Sequence, residues 1–108
     1  VQSKLSKLQR VIVVYVGVTA KSQNKKYVKR KDVTTGMAYI LNRDIENNFS
    51  ALISQSIHGL KQRKLISKRG TMIGLTKEGR NTAREIIEMI KKIYGDIDWD
   101  IIKQYYNQ

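Results

Sequence analysis

At Leu65 the apolar pattern of the chain changes period. From Phe49 to Lys64 the apolar residues recur every three or four positions, as on one side of a helix, whereas from Leu65 to Leu75 they alternate, as on a strand. The change falls inside LKQRKLISKRGTMIGLTKEGR, a segment otherwise crowded with lysine and arginine. Leu65-Ile66-Ser67-Lys68-Arg69 and Met72-Ile73-Gly74-Leu75 read as two short strands about a turn containing Gly70, a residue that accepts the positive φ of a tight hairpin. The apolar beat anchors this hairpin to a core and leaves Lys68, Arg69 and Thr71 projecting from its tip. Thr76 then caps a long helix that opens KEGRNTAREIIEMIKKIYG and ends at Gly95.

The helix before the hairpin carries the most information. It is expected from about Phe49 to Lys64, after the possible caps Asn48 and Ser50. At helical spacing Phe49, Leu52, Ile53, Ile57 and Leu60 gather on a core side, and Ala51, Ser54, Gln55, His58, Lys61 and Gln62 gather opposite them. That outward face is small and hydrogen-bonding toward its N-terminal end and cationic near the other. A helix lying in the major groove of a duplex uses such a face: small residues for close approach, amides and hydroxyls for base edges, positive charge beside phosphates. An ordinary solvated face would have a similar composition, and the helix by itself does not separate the two.

Charge favours a polyanion. The 108 residues, enough for one domain, carry 21 Lys+Arg against 9 Asp+Glu, a formal net charge of +12. No acid precedes Asp32 and none falls between Glu46 and Glu78, so the binding face belongs to the first and middle parts of the chain. There is no cysteine and no proline, which excludes disulfides, thiol catalysis and thiolate zinc sites.

At the N-terminus, KLSKLQR followed by VIVVYVGV and small residues imitates a secretory signal, but Leu5, Leu8, Ile12 and Tyr15 recur at helical spacing. A helix is expected from about Ser3, its cap, to Ala20; the apolar run is too short to span a membrane. Residues 21–31 read as a basic loop or arm in which Lys21, Lys25, Lys26, Lys29, Arg30 and Lys31 flank Tyr27 and Val28: a mobile connection or a phosphate contact. From Asp32 to about Arg43 a second helix follows, capped by Asp32 or Thr34, with Val33, Met37, Ile40 and Leu41 on one face. NRDIENN turns the chain, with Ile45 expected to plug the corner.

Helix, basic connection, helix, turn, helix, hairpin, helix is the element order of a winged helix-turn-helix domain, mainly α with a small β-hairpin. The run SALISQSIHGLKQRKLISKRGTMIGLTKEGR also resembles the recognition helix and wing of the MarR and PadR groups of regulators. The shared features are Leu60 near the helix end, the pair Leu65-Ile66, and Leu75-Thr76-Lys77-Glu78-Gly79 stepping into the next helix, over about the middle half of the chain. Lys64 departs from the pattern, since such proteins usually have glycine there, at a left-handed turn between helix and strand. The resemblance implies a homodimer binding double-stranded DNA, with Ser50, Ala51, Ser54, Gln55 and His58 on a base-reading helix and Lys68, Arg69 and Thr71 on the wing. Lys61 and Gln62 close the same helix face, and Lys25, Lys26, Lys29 and Arg30 are the candidate arm contacts.

Enzymatic readings find little support. The single histidine, His58, has no cysteine or carboxylate pair near it in sequence, and no Gly-rich phosphate loop or nucleophile elbow is present. Asp96, Asp98 and Asp100 alternate but lack an EF-hand's glycine and terminal glutamate, so helix capping is the better account. Neither cofactor nor metal is expected. Asn48-Phe49-Ser50 matches a glycosylation sequon by chance in a chain expected to be cytoplasmic and nucleoid-associated.

Apolar residues are in surplus at the ends. Ala83, Ile86, Ile87, Ile90, Ile93 and Tyr94 form one stripe, and Trp99, Ile102, Tyr105 and Tyr106 another on a short fifth helix. With the first helix, these are the expected dimer interface. Two functions fit: a sequence-specific transcription regulator, or a DNA-coating adaptor such as a plasmid partition protein on a centromere-like site.

Overall fold

A computed structural model describes residues 5–107 of the chain. Ser3, the expected first cap, lies outside them. Ser6 caps instead: its hydroxyl accepts from the Gln9 amide at 3.1 Å and the Gln9 side chain accepts from the Ser6 amide at 3.0 Å, a reciprocal box that opens α1, Lys7–Ser22. Because Val11, Ile12, Val13, Val14 and Val16 are apolar all round the helix, α1 needs cover on every side, and all five are buried.

The sequence-predicted loop at residues 21–31 is largely ordered backbone. A two-residue strand β1, Val28–Lys29, runs directly into α2, Arg30–Leu41. The helix therefore starts before Asp32 and Thr34, and neither caps it; the N-cap is Lys29, without a side-chain bond. Asn42 in the left-handed region ends α2, and the Arg43 amide donates to the Ala38 carbonyl at 2.9 Å. α3, Asn47–Gln62, begins after Glu46, so Asn48 and Ser50 are not caps either. Ile45 does not plug the corner: it is 56% exposed, and the corner is closed by Phe49, buried beneath the Arg43 guanidinium at 5.1 Å from the ring centroid. Leu52, also expected in the core, is 42% exposed, since it sits roughly 90° around the helix from the Phe49-Ile53-Leu60 stripe.

Lys64 adopts φ 63° despite its side chain, and its carbonyl accepts from the Thr76 hydroxyl at 2.7 Å. The chain then enters β2, Ile66–Arg69, and returns as β3, Met72–Leu75, with Gly70 at φ 63° in the turn. The antiparallel sheet has order β1-β3-β2, with Lys68 opposite Ile73 and Val28 opposite Ile73 on the other side. The β1 amide ladder is extended by Arg30, whose N–H donates to the Thr71 carbonyl at 3.1 Å.

Thr76 caps α4, Lys77–Tyr94, by accepting from the Gly79 amide at 3.0 Å, and Gly95 follows at φ 84°. Asp98 caps α5, Trp99–Tyr106, accepting from Ile101 at 2.9 Å. The terminal stripes largely pack on their own chain. Ile86 and Ile90 of α4 and Ile102 and Tyr105 of α5 are buried, Trp99 tilts against Tyr15 at 5.6 Å, and Arg10 donates to the Tyr105 hydroxyl at 3.1 Å. Most of the apolar surface assigned to a dimer from sequence is thus internal, leaving Val18 and Ile93 as its exposed remnants, with exposed Met89 outside that assignment. The result is an α+β arrangement of five helices and a three-stranded sheet among the described residues. None of these helices is long and apolar enough to cross a membrane.

Candidate nucleic-acid interface

Three elements converge on one open groove. The start of α2 supplies Lys29 just before it and then Arg30, Lys31, Thr34 and Thr35; α3 supplies Ser50, Ser54, Ile57, His58 and Lys61; the hairpin supplies Ile66, Lys68, Gly70, Thr71 and Ile73. Among the apolar members Ile57, Ile66 and Ile73 belong to the core and form the floor, while Ile45 is exposed. Around them stand five lysine or arginine side chains, the histidine and several hydroxyls, with no acidic residue among the lining.

Strand alternation determines which hairpin cations reach this groove. Ile66 and Lys68 share one face of β2, and Ser67 and Arg69 the other. Lys68 and Thr71 accordingly line the groove, while Arg69 lies over the Tyr27 ring at 5.8 Å on the opposite side. Tyr27 covers that side because residue 74 is glycine: a Cβ there would meet the Lys26 carbonyl oxygen at 2.4 Å and the Tyr27 ring at 3.0 Å. The expected trio at the tip is therefore split between two faces.

The α3 surface divides in the same way. Ser50, Ser54, His58 and Lys61 line the groove, whereas Ala51, Gln55 and Gln62 are exposed on the adjoining crest of the helix. Two of the groove hydroxyl contacts are already made within the chain. The Arg30 guanidinium donates to the Ser54 hydroxyl, which in turn donates to the Ser50 carbonyl at 2.9 Å. This bond ties the first turn of α2 to the middle of α3 and fixes the angle at which the groove opens.

Of the arm residues, Lys29 and Arg30 join this site and Lys25 and Lys26 do not. The latter two line a second groove, with Lys21, Tyr27, Ser67, Arg80 and Arg84. Sequence reasoning missed Thr34, Thr35 and Ile45 as groove residues and gave Lys31 only as part of the basic arm. For Lys31, Thr34 and Thr35 the signal depends on α2 beginning at Arg30 rather than at Asp32, which places them on the flank turned toward α3 and the hairpin, whereas Ile45 comes from the turn between α2 and α3.

The arrangement suits an extended anion with a structured edge. Fixed cations on three sides attract a phosphate backbone, and the hydroxyls, amides and imidazole of α3 offer donors and acceptors between them. No family model matches the chain, and no curated protein or solved structure matches it either.

Proposed function

We propose that the chain binds double-stranded DNA sequence-specifically and acts as a transcription regulator. The observation that carries this reading is the groove itself, in which Lys29 of β1, Arg30 and Lys31 of α2, Lys61 of α3 and Lys68 of β2 come together and no acid is among the lining residues. In this reading the crest of α3 enters the major groove, where Gln55 faces base edges beside the groove residue His58 and Ala51 permits close approach. Lys61 and the first turn of α2 meet one phosphate strand, and the hairpin acts as a wing whose Lys68 and Thr71 meet the other. The Arg30–Ser54 bond holds α3 at a set angle to these cations, so that phosphate contacts position the helix and the helix face reads sequence.

The test is selection of bound duplexes from a random pool, followed by footprinting on the selected sequence. A regulator yields a defined consensus and a footprint of fixed length, about one to two helical turns. Failure to enrich any sequence, or protection that grows outward as protein is added, refutes the regulator reading in favour of a DNA-coating protein.

A further inference from the structure

The second groove, like the first, sets cations around an apolar floor. Val18 and Ala20 from the end of α1, Leu75 from β3, and Ala83 and Ile87 from α4 form it. Lys21, Lys25, Lys26, Arg80 and Arg84 stand around that floor, and again no acid lines it. An occupant that matches both features carries an apolar ridge beside carboxylates.

The chain carries such a ridge on its own surface. Met89 and Ile93, one turn apart on α4, are 39% and 63% exposed among the described residues. Exposed Glu85, one turn before Met89 on the same flank, and exposed Asp96 after the helix stand against Lys92. The exposed Val18 in the groove and the exposed Ile93 on the ridge are unexplained by internal packing, and each provides what the other lacks. We propose that the second groove receives the Met89/Ile93 ridge of another copy of this chain.

The helix geometry sets the symmetry of the contact. Arg80, Ala83, Arg84 and Ile87 lie on one flank of α4, and Met89 and Ile93 lie roughly 150° around the axis at about 100° per residue. A two-fold contact needs one self-complementary patch. Here groove and ridge are on opposite sides of the buried stripe, so a chain that receives a ridge still presents its own ridge elsewhere. The association is head-to-tail, and it either propagates or closes into a ring of more than two chains.

The inference does not depend on DNA binding and is tested without DNA. Nuclease-treated full chain, free of absorbance from nucleic acid, is followed by sedimentation and light scattering at low salt over a wide concentration range. The expected mass rises beyond two chains and falls back when salt is raised. Two variants break opposite halves of the contact: Lys25→Glu with Arg84→Glu in the groove, and Ile93→Arg on the ridge, all at exposed positions. Each raises the concentration needed for assembly by about tenfold or more. An equimolar mixture, in which one variant keeps a ridge and the other a groove, stops at a pair of chains. Should circular dichroism show either variant unfolded, Arg84→Gln and Ile93→Thr replace them with the same expected direction. Wild-type mass fixed at one or two chains, assembly indifferent to both sets of variants, or a mixture that forms no pair overturns the proposal.

Discussion

Replacing Gly79 by alanine sets two opposing effects against each other at the base of the hairpin. Alanine is the better helix former by about 0.8–1.0 kcal/mol in a helix interior, and on propensity alone the variant gains stability. The added Cβ, however, would lie 2.0 Å from the Leu65 carbonyl oxygen, 3.0 Å from its carbon and 3.3 Å from the Leu75 Cβ. The nearest of these is backbone, so α4 and the start of β2 must separate by about 1 Å to restore ordinary contact. Three hydrogen bonds cross or close this junction: Thr76 N–H to the Leu65 carbonyl at 3.1 Å, the Thr76 hydroxyl to the Lys64 carbonyl at 2.7 Å, and the Gly79 amide to the Thr76 hydroxyl at 3.0 Å. Overpacking of about 1–3 kcal/mol and loss of about 1 kcal/mol for each weakened bond outweigh the propensity gain. With all three bonds weakened the net destabilisation is about 3–5 kcal/mol, a fall in the melting midpoint of about 12–30 °C for a chain of this size. Thermal and urea unfolding followed by circular dichroism measure it, with exposed Glu78→Ala as the control. A Gly79→Ala protein as stable as the wild type would refute the close packing of hairpin on α4.

Lys64→Gly should act in the other direction, because a non-glycine residue at φ 63° is held at a cost of about 1–2 kcal/mol, offset in part by the greater unfolded-state freedom of glycine; a rise of about 0.5–1 kcal/mol in urea unfolding is expected. Lys68→Ala and Arg69→Ala should differ on duplex DNA even though both remove one hairpin cation: Lys68→Ala weakens binding and Arg69→Ala, stacked over Tyr27 on the far side, changes it less, as fluorescence anisotropy would show. Gln55→Ala should cost about 1–3 kcal/mol on a selected sequence and almost nothing on scrambled DNA, whereas Lys61→Ala should weaken both about equally; parallel losses for Gln55→Ala would mean that α3 does not read bases.

What the sequence revealed and what it hid follow from the range of the interactions involved. The stripe Phe49, Ile53, Ile57 and Leu60 and the Thr76 cap are local patterns, and both occur where the spacing places them. β1 was invisible because two residues carry no period; Val28 and Lys29 are strand only through Ile73 and Met72, more than forty positions away. The early start of α2 followed from that pairing, and with it the membership of Lys31, Thr34 and Thr35 in the groove. Alternation within β2 was legible, yet which face met α3 was not, so the separation of Lys68 from Arg69 required the tertiary structure. The apolar C-terminal stripe was read correctly as apolar, but its partner was not: the α5 residues Ile102 and Tyr105 fold back onto their own chain.

The salt dependence of duplex binding tests the central claim most directly. If Lys29, Arg30, Lys31, Lys61 and Lys68 engage phosphates together, each bound chain displaces about five condensed cations, and a plot of log affinity against log salt falls with a slope of about −4 to −5. Titrations of one labelled duplex at several salt concentrations give that slope, and Lys61→Ala should make it shallower by about 1. A slope near zero, or one that Lys61→Ala and Lys68→Ala both leave unchanged, would contradict a DNA interface in this groove.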